Sequence, residues 1–257
     1  MKKLLIFLFA LIFSASIFAQ DTIKESIYIP DRPGYTANAN LIGLHQMDIE
    51  MGFGYNYVNC GDVNNIFYNT TYFRYGIFKH LEIRAGIDFG EISTPIYNSI
   101  GVKGLNIGVK IPIIKDVKYA PDIAILAYTY LPNIGIPEFS IPDYAPAMTL
   151  CLQKCFFDRL ILLGNAGFFY DGINPYAQGN ISLATYFFIT KKMAIFVETN
   201  CLYSDMNNPN NMGDTGMIFY VTDNIQLDLS FGINYVKGID NSFINTGFSW
   251  RIPNKNK

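Results

Sequence analysis

The 257-residue chain holds, beyond its first twenty residues, no stretch of the roughly 18 apolar residues that a membrane-crossing helix needs. Its longest uncharged window, residues 172–190, carries Asn174, Pro175, Gln178 and Asn180, which excludes a lipid-facing helix. Histidine is almost missing: His45 and His80 are the only two, neither beside a serine. There is no Gly-x-Ser-x-Gly elbow and no His-Glu-x-x-His pair, so hydrolase and zinc-protease chemistry have no visible apparatus. The four cysteines, Cys60, Cys151, Cys155 and Cys201, show no metal-type spacing and read as structural, and none follows the export region to be acylated. Charge is sparse at 16%, the net charge is −2 and no basic patch occurs, which excludes nucleic acid as a partner. No catalytic residue, metal or cofactor is expected.

What is present is apolar and aromatic: half the residues are hydrophobic and 16% are aromatic. The start of the chain has the plan of a signal peptide, with Lys2 and Lys3, an apolar run from Leu4 to Phe13, and small residues leading to Ala19. Cleavage is expected after Ala19, although Ile17 rather than alanine stands three residues before the cut.

Beyond it the governing pattern is alternation. In Ile225–Asn234 every odd position is large and apolar and every even one is polar or glycine. Side chains of a strand point alternately to opposite faces, so this segment builds one apolar and one wet face. The same pattern recurs at 47–58, 81–89 and 244–252. Twelve strands are predicted, over 46–58, 65–77, 81–90, 100–111, 122–130, 146–154, 160–170, 177–189, 193–203, 214–221, 225–234 and 243–252. Tight connections at 78–80, 155–159, 190–192 and 222–224 alternate with longer ones at 90–99, 131–144 and 204–213, with 112–121 an exception on the tight side.

The wet face separates a membrane barrel from a soluble sandwich, since both have one apolar face. It is built from Gly52, Gly54, Gly86, Gly108, Asn165, Gly167, Asn180, Ser182, Gly232 and Gly247, while most lysines lie in turns and the tail. Aromatics such as Tyr55, Tyr57, Phe168, Tyr203, Phe219 and Trp250 sit near strand ends on the apolar face, as interfacial girdles do. The expected fold is therefore all-β: an antiparallel transmembrane barrel of about 12 strands in the outer membrane. Its expected divisions are a signal peptide (1–19), a short extended periplasmic lead-in (20–44), the barrel (45–252) and a periplasmic tail (253–257). Membrane lipid and the outer-membrane assembly machinery are the expected partners, and the number of subunits is open.

Parity also sorts the charges. Asp48, Glu50, Glu82, Asp88, Glu198, Asp214 and Asp228 point inward with Arg74, Arg84, Lys110 and Arg251, beside Tyr68, Tyr72, Tyr186, Phe196 and Tyr220. Two interpretations coexist. The set can be a network of ion pairs that fills the interior and fixes its shape, because unpaired buried charge is costly. Or part of it lines a solute path, with Glu50, Arg74, Glu82, Arg84, Asp88, Lys110, Glu198, Asp214, Asp228, Tyr72, Tyr186 and Tyr220 as the candidates. Ahead of the first strand, Asp31 and Arg32 are expected at the periplasmic mouth, Arg32 engaging inward acids; a loose tail is the alternative.

Several stretches resemble one family. Gly216–Asp228 followed by Gly247-Phe248-Ser249-Trp250-Arg251, the hairpin Arg74–Arg84, and Asp31-Arg32-Pro33 ahead of the first strand are similar to the outer-membrane barrels named for the meta-cleavage pathway of phenol degradation. Glu198 matches an acid often found on that family's ninth strand. The resemblance spans about residues 31–252, with one departure: Arg251–Lys257 run past Trp250, where such barrels often end on the last aromatic. It implies passive or facilitated uptake of small solutes, including small aromatic or hydrophobic compounds. Two other classes stay open from the residues themselves. One is a structural or adhesive barrel without transport; the other, less favoured, is a lipid-modifying enzyme of the outer membrane.

Overall fold

The computed structural model describes residues 28–60, 63–93, 97–157, 159–204, 207–236 and 239–252. The expected signal peptide and tail lie outside them. Among the described residues there are twelve strands and no helix. They are β1 (Met47–Cys60), β2 (Val63–Phe78), β3 (Leu81–Ser93), β4 (Asn98–Ile114), β5 (Asp122–Tyr130), β6 (Ala145–Phe156), β7 (Leu160–Phe169), β8 (Gln178–Thr190), β9 (Met193–Ser204), β10 (Asn207–Thr222), β11 (Ile225–Val236) and β12 (Ile239–Ile252). Each pairs antiparallel with its neighbour in the chain, and β1 pairs with β12 from Met47↔Ile252 to Asn59↔Asp240, closing the barrel. Closure leaves no unpaired sheet edge.

Alternation determines which side chain goes where. Along β6, Ala145, Ala147, Thr149, Cys151 and Gln153 are buried while Pro146, Met148 and Leu150 face out. The same holds along β9, where Ala194, Phe196, Glu198 and Asn200 are buried between exposed Ile195, Val197 and Thr199. The exposed set includes Phe53, Tyr55, Leu162, Leu183, Phe231 and Trp250, an apolar surface running round the barrel. The interior holds the carboxylates, the guanidinium groups and the amides.

The connections at one end are short, as between Phe78 and Leu81, Thr190 and Met193, and Thr222 and Ile225. At the other end two expected loops prove to be largely strand. β3 and β4 extend to Ser93 and from Asn98, and β10 begins at Asn207 rather than near 214, with a register shift between Asn207 and Asn210. Ladder hydrogen bonds need only backbone groups. At these ends the sequence runs Gly90-Glu91-Ile92-Ser93, Asn98-Ser99-Ile100-Gly101 and Asn207-Asn208-Pro209-Asn210-Asn211, so the period-two signal of large apolar residues fades while the pairing continues.

Residues 28–42 run inside the barrel. Tyr28, Thr36, Asn38, Ala39 and Ile42 are buried, each at 4% exposure or less. The segment then leaves by a turn in which the Gln46 amide donates to the Gly43 carbonyl (2.9 Å) and the His45 amide to the Gly76 carbonyl (2.7 Å). A Cβ on Gly76 would collide with the Gly43 carbonyl, so this close passage depends on glycine there. Ile29 packs on an apolar cluster of β7–β10, and Ala37, Ala39 and Leu41 pack on Ala124, Leu126 and Cys151 of β5 and β6. The lumen is thus filled by the chain's own leading segment.

Candidate functional site in the barrel lumen

The charged part of the lumen is built where β1 to β4 pair. Glu50 lies across from Tyr72, Arg74 from Arg84, and Glu82 from Lys110 in the strand registers, which brings five charged side chains and Tyr72 to one patch of wall. Arg74 is its centre. Its Nη1 donates to Glu50 Oε1 at 2.6 Å and its Nε to Glu82 Oε1 at 2.8 Å. Its side chain is 1% exposed, and those of Glu50 and Glu82 are 1% and 0%.

Asp31 of the leading segment completes this patch. Its carboxylate accepts from Arg84 Nη2 at 2.5 Å and from Lys110 Nζ at 3.0 Å, and lies 3.7 Å from Arg74 Nη1. Burial alone would raise its pKa; Arg74, Lys110 and Arg84 outweigh it and hold the carboxyl well below the usual range. Three cations meet three carboxylates, so the cluster is neutral as a whole. The amides of Asp31 and Arg32 each donate to Glu50 at 3.2 Å, and the Ile42 amide donates to Glu82 at 2.9 Å.

Arg32 reaches the neighbouring wall of β11, β12 and β1. It pairs with Asp228 at 3.0 Å, with its guanidinium in a trough between Gly52 and Gly247, which face each other across β1 and β12. A Cβ on either glycine would occupy the guanidinium's space. Asp31 and Arg32 therefore sit inside the lumen, level with Glu50 and Gly52, rather than at its rim. Further along, Glu198 accepts the Tyr35 amide at 2.8 Å and the Thr36 hydroxyl. At the closing seam Arg251 forms a two-pronged pair with Asp48, both contacts 3.0 Å, and lies 4.4 Å over the Tyr28 ring. Burial, then Glu50 and Asp48, push the Tyr28 hydroxyl far above its ordinary pKa.

Between the segment and the wall of β1–β5 remains a cavity of about 390 Å³. Tyr35, Tyr68, Tyr72, Tyr128 and Tyr130 line it with Asp31, Arg32, Glu50, Arg84, Asn106 and Asn245. Tyr130 donates to Asp88 at 2.6 Å, Tyr68 to Asn245 at 2.5 Å, and the Arg84 guanidinium stands 5.8 Å over Tyr72. Arg84 Nη1 and Asn106 Nδ2 are buried there without a hydrogen-bond partner among the described residues. A second recess of about 720 Å³ lies at β9–β12 and β1. Glu198 and Asp214, Cα partners across β9 and β10, line it with Phe243.

Of the candidates sorted by parity, Glu50, Arg74, Glu82, Arg84 and Lys110 thus share one network, and Tyr72 and Asp88 lie by the first cavity. Asp228 holds Arg32. Tyr186 and Tyr220 go elsewhere: they stack on Phe196 (5.4 Å between centroids) and Phe188 (6.2 Å) in the apolar cluster of β7–β10 and do not line the first cavity. Sequence reasoning passed over Tyr128, Tyr130 and Thr36. Both faces of β5 are apolar, with Ala124, Leu126, Tyr128 and Tyr130 inside and Ile123 and Ile125 on the other face, so no polar face marked the lumen there.

No family model matches the chain, and no curated protein matches it in sequence. Its fold is nonetheless shared with solved barrels. An outer-membrane channel from Pseudomonas putida F1 is similar over 86% of this chain and 99% of its own, with a TM-score of 0.64 at 12% identity. The NanC porin (TM-score 0.57, 10% identity) covers 79% of this chain and 100% of its own. The KdgM porin in complex with disordered oligogalacturonate (0.56, 7%) covers 79% and 99%. At such identities the likeness is one of fold: the chain's closed barrel is similar in fold to these channels and porins.

Proposed function

We propose that the protein is a channel of the outer membrane that admits small solutes by passive or facilitated diffusion. The observation that carries this reading is the lumen: an apolar-walled barrel whose interior beneath β1–β4 is charged and polar, and where the leading segment leaves a cavity of about 390 Å³ against that wall. A closed barrel satisfies its backbone groups within hydrocarbon, and an apolar outer surface with a polar inside is the arrangement of membrane-spanning barrels. Both termini and the tight turns then face the periplasm. Tyrosine rings beside guanidinium and amide donors offer flat apolar surface and polar anchors together, which suits small solutes over bulk flow. The stretches similar to the phenol meta-cleavage barrels favour small aromatic or hydrophobic compounds among them. The wall residues that meet the cavity, above all Tyr72, Arg84 and Glu50, are the proposed path.

Occlusion by residues 28–42 favours a second reading, a structural barrel without transport. Swelling of liposomes holding the purified barrel separates the two, using small aromatic acids, sugars and amino acids. Admission of at least one class above background is the expected result, with a faster rate after deletion of residues 21–40. A barrel that admits none, intact or shortened, is structural.

A further inference from the structure

The Asp31 carboxylate is held as a bound anion would be. Arg84, Lys110 and Arg74 surround it from two strands of hairpin β2–β3 and from β4, at 2.5, 3.0 and 3.7 Å. None of the three belongs to the segment that brings Asp31. Without Asp31, the wall presents these three cations against only Glu50 and Glu82, and so carries one excess positive charge in a buried place. Excess buried charge is costly unless an ion of opposite sign meets it. Arg84 has a further donor to give, because its Nη1 is buried and unpartnered among the described residues. Asp31 and Arg84 both line the 390 Å³ cavity, so a small molecule in that cavity is already beside the site.

We propose that the lumen wall holds a binding site for small carboxylates, made by Arg74, Arg84 and Lys110, which the protein's own Asp31 fills as an internal competitor. A free carboxylate arriving through the cavity takes the position of the Asp31 side chain, and the segment loosens at that point while Arg32–Asp228 and Glu198 still hold it. The exchange breaks and forms only ion pairs and hydrogen bonds. It rests on the channel reading solely for the route by which the anion arrives, and binding in detergent tests it without any transport.

The test uses the full chain with Asp31→Ala, which empties the side-chain position and leaves the remaining anchors. Acetate serves as the probe, acetamide as its neutral isostere, and chloride keeps the ionic strength equal. Acetate is expected to raise the thermal midpoint of Asp31→Ala, and acetamide to leave it unchanged. The native chain should respond to acetate only at concentrations about tenfold higher or more, since Asp31 occupies the site most of the time. Adding Arg84→Gln to Asp31→Ala should abolish the acetate response. Equal effects of acetate and chloride on Asp31→Ala, or a response that survives Arg84→Gln, would overturn the proposal. Should Asp31→Ala fail to fold in chloride, refolding yield becomes the readout: recovery in acetate alone supports the site, and recovery in neither overturns it. A barrel that binds acetate here yet swells no liposome would refute the channel and keep the site.

Discussion

The two sides of this lumen are filled by opposite means. Beneath β1–β4 the interior is ionic, with Arg74 tied to Glu50 and Glu82 and joined by Asp31, Arg84 and Lys110. Beneath β7–β10 it is an apolar core of Tyr186, Phe188, Phe196, Ile218 and Tyr220, on which Ile29 rests. The leading segment bridges them, with Asp31 held in the first and Ile29 in the second. Ionic contacts are directional and fix the segment's register through particular atoms; the apolar contacts only ask for volume.

The contrast predicts different penalties. Arg74→Met leaves Glu50 and Glu82 facing each other without their shared cation. It should cost about 3–5 kcal/mol, the penalty of breaking a buried pair. Phe188→Ala on the aromatic side opens a cavity and falls in a similar range, about 3–5 kcal/mol, the usual cost of truncating a buried phenylalanine. The two differ in rescue. Replacing Glu50 by glutamine together with Arg74→Met removes the carboxylate whose ion pair was lost and restores the cluster's neutrality, and should recover most of the loss. No change of charge recovers Phe188→Ala. Urea unfolding of the barrel in lipid vesicles measures both, and an Arg74→Met penalty that persists in the double variant would show that the ionic side is held by shape as well.

Acid should separate the sides again. Because the cations hold the Asp31 carboxyl below its ordinary 3.8, its contribution to stability is complete above that value. It is lost progressively as pH falls below 3.8 and is gone once the folded-state carboxyl itself protonates. The aromatic core contributes no such dependence, since its phenol groups stay neutral throughout that range. Stability at pH 7 should therefore exceed that at about pH 3 in the native chain, and the gap should narrow in Asp31→Asn. An unchanged gap would assign the acid sensitivity to other carboxylates.

Much of this arrangement was legible in the chain, and its limits are physical. Parity placed Glu50, Glu82, Arg84 and Lys110 indoors because each stands on a strand with one clearly apolar face; Arg74 followed from Phe67 and Phe73 on the other face of β2, although Asn69 and Thr71 interrupt it. Parity could not say which of them meet, since that depends on strand register, and register follows from turns and bulges such as those near Gly76 and Asp88. Nor did it separate Tyr186 and Tyr220 from Tyr72: inward aromatics look alike until neighbours are known. The leading segment carried no periodicity because it is neither strand nor helix. Its side chains instead answer a wall assembled from distant strands, as Thr36 answers Ser182 (2.8 Å) and Ala39 answers Gln153 (3.2 Å).

The smallest predicted effect lies at the seam between the sides. Ser230 of β11 is an inward residue of the alternating run, and a lumen-facing serine would ordinarily tolerate a long polar replacement. Here Ser230 is 0% exposed, with its hydroxyl unpartnered among the described residues. Arginine at this position has no room. Alanine does, and it removes a hydroxyl that is buried without a hydrogen bond, a change that is near neutral or favourable. Ser230→Ala should therefore shift unfolding by no more than about 0.5 kcal/mol, in either direction or toward greater stability. A loss well beyond that would mean that the hydroxyl takes a partner in the membrane-bound protein, and that the seam is wetter than either side it joins.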